Sequence, residues 1–521
     1  HELLLKHPDI LAHYQQRFRH VLVDEFQDTN TIQYAWLRLL AGVHRNAFVV
    51  GDDDQSIYGW RGAKVENIRR FSEHFPGTKV FRLEQNYRST AAILDGANAL
   101  IACNDSRMGK NLWTSGDQGE LIQLYGAFNE QDEADFVVER IRQWIGQGHN
   151  RDESAILYRS NAQSRVFEEK LIQAGMPYRV YGGQRFFERA EIKDALAYLR
   201  LIANPHDEAS FERVVNQPTR GIGGQTLTLV REQAKVGGVS LHRAAELLVR
   251  GESLSARARN ALLGFLHLLE ELGQGLEGLP LGEQVEQVLA ESGLWEHYSK
   301  EKGEKGISRR ENLEELVNAA RQFAWEDDES GLDPLSIFLS HAALEAGEAQ
   351  ADAAQDCVQL MTLHSAKGLE FPLVFLCGME EGLFPHKLSV AEPGRLEEER
   401  RLCYVGMTRA RRHLILSWAE QRRLHGSENY CMPSRFLNEI PTELVEEIRP
   451  TAKPGRAATT GMVADDMASA FRLGQRVRHN KFGSGVVLSY EGQGSHARVQ
   501  VNFERAGAKW LVVAYANLQM V

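Results

Sequence analysis

Cysteine is scarce and scattered. Cys103, Cys357, Cys377, Cys403 and Cys431 are the five among 521 residues, and no two form a C-x-x-C pair, which argues against a zinc site and a disulfide framework. A reducing cytoplasm suits such a set. No stretch approaches the ~20 consecutive apolar residues of a membrane span. The opening HELLLKHPDI lacks the basic start and long apolar run of a secretory signal. It also lacks an initiator Met, so the chain is expected to begin partway through a longer protein. Positive charge is short as well: 60 Lys and Arg stand against 71 Asp and Glu, net −11. That excludes a histone-like coat for DNA and leaves room only for a local basic channel. The remaining composition, 43% hydrophobic and 25% charged, is ordinary globular usage, and the length predicts three or four domains.

Strands and helices alternate at first. HVLVDEF and NAFVVGDDDQ are short apolar strands ending in polar residues, with the helical TIQYAWLRLLAG between them. KVFRLEQNYRS, GELIQLYGAF and ESAILYRSN are further strand-like runs, which together predict a parallel sheet covered on both faces. From 182 to 354 every periodic segment is helical, as in AEIKDALAYLRLIAN and RRENLEELVNAARQFA. Strands resume with CVQLMTLHSAKGLEFPLVFLCGM and RRHLILSWA, so the helices form an insertion. Residues 441–470 are aperiodic and rich in small residues, as expected of a flexible linker. The tail, 471–521, has seven Lys and Arg against two Glu and reads as a small β-barrel-like module.

Five stretches carry chemistry. In VLVDEFQDT, Asp24 and Glu25 follow an apolar strand, where ligands of parallel sheets bind; such an Asp suits Mg²⁺ through water, and such a Glu suits activation of an attacking water. In VVGDDDQSIYGWRGA, Gln55 is able to donate to a phosphate oxygen, and Tyr58 and Trp60 with Arg61 suit base stacking without sequence preference. Asp52 to Asp54 lack the Gly and terminal Glu of a calcium loop. In LEQNYRST, Tyr87 suits stacking and Arg88 a phosphate clamp. TLHSAKGLEF is a strand followed by a Gly-containing turn. In YVGMTRARRHLILSWA, Arg409 precedes a strand, in position for an arginine finger. Taken singly, each of these residues has a bland reading as a surface ion pair or packed loop; their order along the chain is the informative feature.

That order resembles the successive motifs of the UvrD/Rep/PcrA family of superfamily-one DNA helicases, across almost the whole chain. The resemblance implies two RecA-like, P-loop NTPase-type α/β sheets with ATP and Mg²⁺ between them, the second sheet interrupted by the helical insertion, and a C-terminal Tudor/SH3-like barrel. The implied domains are 1–18, the end of a helical subdomain inserted in the first RecA-like domain; 19–84, the C-terminal part of that domain; 85–181 and 355–440, the second; 182–354, the insertion; 441–470, the linker; and 471–521, the tail. The resemblance also implies roles: Asp24 for Mg²⁺, Glu25 for the hydrolytic water, Gln55, Arg88 and Arg409 for phosphates, Tyr87 near adenine, and Glu370 near the sugar. Tyr58, Trp60, Arg61 and His364 would line a single-strand path, and Thr219, Gly221 and Gly223 in TRGIGG would meet duplex phosphates. His425 stands where relatives often carry an aromatic, which weakens one expected DNA contact. The implied activity is ATP-dependent 3′–5′ unwinding of DNA in excision and mismatch repair. The tail would dock RNA polymerase or repair proteins. The rival is a non-catalytic DNA-binding or scaffold remnant, against which both carboxylates and both arginines stand intact.

A phosphate loop, G-x-x-x-x-G-K-[ST], is missing. RMGKNL has Gly109 and Lys110 but Asn at 104 and at 111, and SAKGLE has the order reversed. The family places this loop upstream of DEFQDT. These 521 residues alone are therefore expected to bind ATP weakly and turn it over negligibly; robust DNA-stimulated ATPase from them would contradict that.

Overall fold

The computed structural model describes all residues except 106, 324–332, 348–355, 393, 425–426, 450–475, 480–482, 492–497, 504–506, 513–518 and 521. The chain divides into two compact units, 1–451 and 452–521. In the first, β1 (Val21–Val23) and β2 (Ala47–Val49) pair in parallel. The helix Thr31–Ala41 joins them. It starts because Asn30 and Gln33 satisfy each other's backbone N–H groups, both at 2.9 Å. Phe26, Tyr34, Leu37 and Phe71 form the small core beneath.

A larger sheet follows, built from β3 (Ile122–Ala127), β4 (Ser154–Tyr158), β5 (Tyr178–Val180), β6 (Val358–Thr362), β7 (Phe371–Leu376), β8 (Ala410–Ala419) and, beyond the hairpin β9 (Gln421–Leu424) and β10 (Ser427–Tyr430), β11 (Val445–Arg449). Its order is β11-β3-β8-β7-β4-β6-β5, and each pairing is parallel. Successive side chains enter opposite cores. Ala155, Leu157, Val374 and Leu376 pack on one face, under the helices Ala91–Ala102 and Arg395–Met407. Ile156, Tyr158, Leu373 and Phe375 pack on the other, under Glu130–Gly146 and Ser164–Gln173. The period of two explains why these strands read as continuous apolar runs. Between β5 and β6, helices from Ala190–Ala203 to Pro334–Gly347 enclose a core of their own around Tyr198, Phe211, Phe265 and Leu316. The second unit is an antiparallel sheet of β12 (Arg476–His479), β13 (Gly483–Glu491), β14 (Arg498–Phe503), β15 (Gly507–Val512) and β16 (Gln519–Met520), ordered β15-β14-β13-β12-β16. Among the described residues no helix is long and apolar enough to cross a membrane.

Two expectations need correction. KVFRLEQNYRS is not a strand: Val80, Phe81 and Leu83 are exposed, and no described strand lies beside them to complete a ladder. The linker does not begin at 441. Val445–Arg449 add to the free edge of β3, where Val445 packs on the core; a short apolar-polar segment next to an unpaired edge gains that ladder. The remainder, 450–470, lies outside the described residues.

One buried ion group fastens the large sheet to its surroundings. The Arg422 guanidinium donates to Glu380 Oε2 at 2.9 Å and to Glu133 Oε2 at 2.6 Å. Glu133 also accepts from Gly378 N at 2.9 Å and Ser417 Oγ at 2.7 Å, and Glu380 accepts from Ala419 N at 2.8 Å. The cation thereby joins the helix Glu130–Gly146, the exits of β7 and β8, and β9. Arg422→Met leaves two buried carboxylates unpaired and should cost about 3–5 kcal/mol. Native-state hydrogen exchange of the β8 amides should register that loss; a change below about 1 kcal/mol, the range of an exposed pair, would refute the assignment.

Candidate nucleotide and nucleic-acid sites

Parallel pairing sets Val23 opposite Val49, so the carboxyl ends of β1 and β2 lie side by side. The chain leaves β1 through Asp24 and Glu25 into a 3₁₀ turn, Phe26–Asp28, and leaves β2 toward a second, Asp53–Gln55. Glu25 adopts φ 49, ψ 44, a left-handed conformation that costs about 1–2 kcal/mol outside glycine and persists where surrounding contacts enforce it. Gln27, fully buried, is the enforcing contact: its amide donates to Glu25 Oε2 at 2.5 Å, and its Oε1 accepts from Asp52 N at 2.9 Å. A Cβ on Gly51 would fall 2.8 Å from that Oε1, so the approach of the two exits needs glycine. Asp24 is exposed and accepts Glu25 N at 2.9 Å through one oxygen; the other oxygen suits a hydrated divalent cation. The Gln55 amide donates to Asp52 Oδ2 at 2.7 Å.

A second group of side chains comes from loops that border the large sheet. Arg88 Nε donates to Glu370 Oε2 at 2.5 Å, and the side chain hydroxyl of Ser89 donates to Ala410 O at 2.6 Å. Asn86 Oδ1 accepts from the backbone of Arg88 and Ser89 at 2.8 and 2.9 Å. This turn leaves Tyr87 85% exposed, its hydroxyl donating to Gln85. Arg88 holds the Glu370 carboxyl below its usual range. Arg409 is 1% exposed. It donates to Val405 O, Leu369 O and Thr408 Oγ1 at 2.9, 3.1 and 3.2 Å, and no carboxylate among the described residues pairs with it. Burial, reinforced by Arg88, lowers its pKa to about 10. A buried guanidinium with neutral acceptors, and donors to spare among its five, is arranged for an anion.

Lys367 was missed by the sequence pattern. It lies in the turn after β6, its side chain 7% exposed, and reaches Asp28 Oδ2 at 2.6 Å, Glu25 Oε2 at 3.2 Å and Gln55 O at 3.0 Å. In SAKGLE the lysine precedes the glycine, the reverse of a phosphate loop, and a lysine in a turn after a strand has no signature of its own.

Tyr58, Trp60, Arg61 and His364 come together. Their ring centroids lie 6.4–6.5 Å apart, and the Arg61 guanidinium sits 4.9 Å from the Tyr58 ring and 4.5 Å from the Trp60 ring. Tyr58 donates to His364 O at 3.3 Å, while Trp60 is 37% exposed. Thr219, Gly221 and Gly223 belong to the helical insertion. Gly221 has φ 83, and an added Cβ at Gly221 or Gly223 would meet nothing within 4 Å. Asn216 Oδ1 accepts from Arg220 N and Ile222 N at 2.8 and 3.2 Å, and Arg220 reaches Ser292 O at 2.6 Å. The loop is therefore braced from behind and open in front. It precedes the helix Gly224–Gly237, which has no side-chain N-cap. His425 lies outside the described residues.

Burial, with Arg159 and Arg61 adding to it, pushes the His364 pKa down to about 3, from an ordinary value of about 6.5. The unfolded chain binds this proton below about 6.5 and the folded chain does not, so its contribution to stability is full above that value and is lost as pH falls toward 3. NMR of the labelled ring should show neutral imidazole from pH 5 to 8; a titration midpoint near about 6.5 would contradict the burial.

Three family comparisons agree. Residues 1–76 match the UvrD/REP helicase N-terminal domain, 81–421 the UvrD-like helicase C-terminal domain, and 473–519 the PcrA/UvrD tudor domain. DNA helicase II of Escherichia coli (strain K12) is 59% identical over 526 residues, covering 100% of this chain and 73% of its own length. DNA helicase II of Haemophilus influenzae is 53% identical over 526 residues, with 100% and 72% covered. ATP-dependent DNA helicase PcrA of Bacillus subtilis is 41% identical over 535 residues, with 98% and 72% covered. Matches of this extent, on a chain whose strand exits and facing cations are arranged as described, make it a member of the UvrD/PcrA-type superfamily-one DNA helicase family.

Proposed function

We propose that the protein is an ATP-driven motor that moves 3′ to 5′ along one DNA strand and unwinds the duplex ahead of it, in cytoplasmic DNA repair of the excision and mismatch type. The observation that carries this reading is the Arg409 guanidinium, buried with no carboxylate partner among the described residues, at the head of β8 in the lobe whose Lys367 reaches Glu25 and the Gln55 carbonyl. Such a cation is stabilised when a phosphate arrives. Arg88 is the second phosphate ligand, Tyr87 stacks on the adenine, and Glu370 meets the sugar. Asp24 holds Mg²⁺ through water; the ion, when bound, neutralises phosphate charge. Glu25 orients and deprotonates the attacking water, and Gln55 senses the terminal phosphate. Tyr58, Trp60, Arg61 and His364 grip the single strand by stacking. Thr219, Gly221 and Gly223 offer backbone N–H groups to duplex phosphates.

The boundaries that suit this reading are a first lobe of 19–84 following the end of a helical subdomain at 1–18, a second lobe of 85–181 with 355–449, and the insertion 182–354. ATP draws the lobes together because Arg88 and Arg409 stand on one and Glu25 and Gln55 on the other. Loss of the terminal phosphate releases them, and the strand is regripped one step on. Glu25→Gln, in the protein expressed from its own locus, should lower DNA-stimulated ATP hydrolysis by about 10²- to 10⁴-fold with oligo-dT binding intact; hydrolysis within threefold of wild type would sink the assignment.

The basic β module, 471–521, suits a docking role toward RNA polymerase or repair proteins. Deleting it should spare unwinding and abolish co-purification of the partner. Loss of unwinding would instead assign the module to DNA.

A further inference from the structure

RMGKNL, which fails as a phosphate loop, has another place in the molecule. It follows the helix Ala91–Ala102 and lies against the loop that carries Gln55. Three successive carboxylates of that loop are each captured. Arg107 donates Nε to Asp54 Oδ1 at 2.8 Å and Nη2 to Asp54 Oδ2 at 2.7 Å. Met108 N donates to Asp53 Oδ2 at 2.7 Å. The Lys110 ammonium pairs with Asp52 Oδ1. These groups are largely out of water: the side chain of Asp54 is 2% exposed, of Arg107 12% and of Lys110 17%. Two carboxylates of the acidic run are therefore paired with cations of their own chain, and the third accepts a backbone N–H.

Asp52 is the pivotal member. Its Oδ2 accepts the Gln55 amide at 2.7 Å, and its backbone N–H donates to Gln27, the residue that also holds Glu25. One carboxylate thus answers to three donors from two lobes: the Gln55 amide on Oδ2, and on Oδ1 both the Asp54 backbone N–H at 3.1 Å and Lys110, from the chain beyond Arg88. A cation on one carboxylate oxygen withdraws charge from the other and weakens what it accepts. With Lys110 in place, Asp52 still accepts the Gln55 amide at 2.7 Å, but less firmly than a carboxylate with no cation on it would. Without it, the Asp54 N–H alone shares the charge of Asp52, and that amide is retained more firmly.

We propose that Lys110 is a positioning residue, anchored by Arg107, which releases the Gln55 amide from Asp52 so that it reaches the terminal phosphate of ATP when the lobes close. This rests on the helicase reading above. It assigns to the second lobe a control over Gln55 that acts beside the phosphate-contacting arginines.

The test uses the protein expressed from its own locus, with ATP, Mg²⁺ and oligo-dT, and compares wild type, Glu25→Gln, Lys110→Met, Lys110→Arg, and Lys110→Met combined with Asp52→Asn. Lys110→Met should lower kcat for DNA-stimulated hydrolysis by about ten- to a hundredfold, the scale of a misplaced group. ADP affinity should stay unchanged, and the protein should remain folded at the assay temperature despite the lost ion pair. Lys110→Arg should restore the rate, and Asp52→Asn in the Lys110→Met background should recover part of it, because the neutral amide no longer retains Gln55. Two outcomes overturn the proposal: a wild-type rate in Lys110→Met, or a loss that follows a fall in melting midpoint and is not restored by arginine. Absence of DNA-stimulated hydrolysis in wild type would instead overturn the helicase reading. A wild type that is active, and silenced by Glu25→Gln, keeps the two cases apart.

Discussion

The ammonium of Lys367 is the contact on which the geometry of the cleft depends. It comes from the turn after β6 of the large sheet and ends among Glu25, Asp28 and the Gln55 carbonyl at the exits of the small one. A cation with its side chain only 7% exposed must stay paired, because desolvation without a partner costs several kcal/mol. The same ion is also near the Tyr58 ring, at 5.4 Å. The residues suited to nucleotide and those suited to DNA therefore share one anchor, and a shift of either sheet is felt at both.

The contacts around it differ in how firmly they are satisfied. Arg422 is held by two carboxylates in the interior of the large unit and serves the fold. Arg409 is equally buried, yet among the described residues its acceptors are all neutral oxygens. Physical economy would pair or remove such a cation. Its persistence beside Arg88 is what an anion site requires. Glu25 adds a second unrelieved cost in its left-handed backbone. Strain and unpaired charge gather in the same cleft, while the cores on both faces of the large sheet are conventionally packed.

Much of this was legible in the sequence. Apolar runs such as SAILY and FPLVFL become β4 and β7 because both faces of a parallel sheet are covered. Helical segments without strands from 182 to 354, with strands resuming after them, mark the insertion, and residue type and order along the chain mark the clusters around Glu25, Gln55, Arg88 and Tyr58. What escaped depends on partners far along the chain. Lys367 is one ordinary lysine until its neighbours Glu25 and Asp28, over 300 residues away, are brought to it. In sequence Lys110 has only the look of a failed phosphate-loop lysine, whereas Asp52 decides its role. Phe81 and Leu83 show the reverse error: strand propensity without a neighbouring strand makes no strand. Val445–Arg449 has weak propensity and becomes one because β3 offers an edge.

The central claim is that nucleotide chemistry at the strand exits drives directional movement on the DNA gripped beside Tyr58 and Trp60. Strand displacement on duplexes carrying either a 3′ or a 5′ single-stranded tail tests it most directly, with ATP and Mg²⁺ and the protein expressed from its own locus. The account predicts ATP-dependent displacement from the 3′-tailed duplex alone. Displacement without ATP, or from the 5′-tailed duplex in preference, would contradict it.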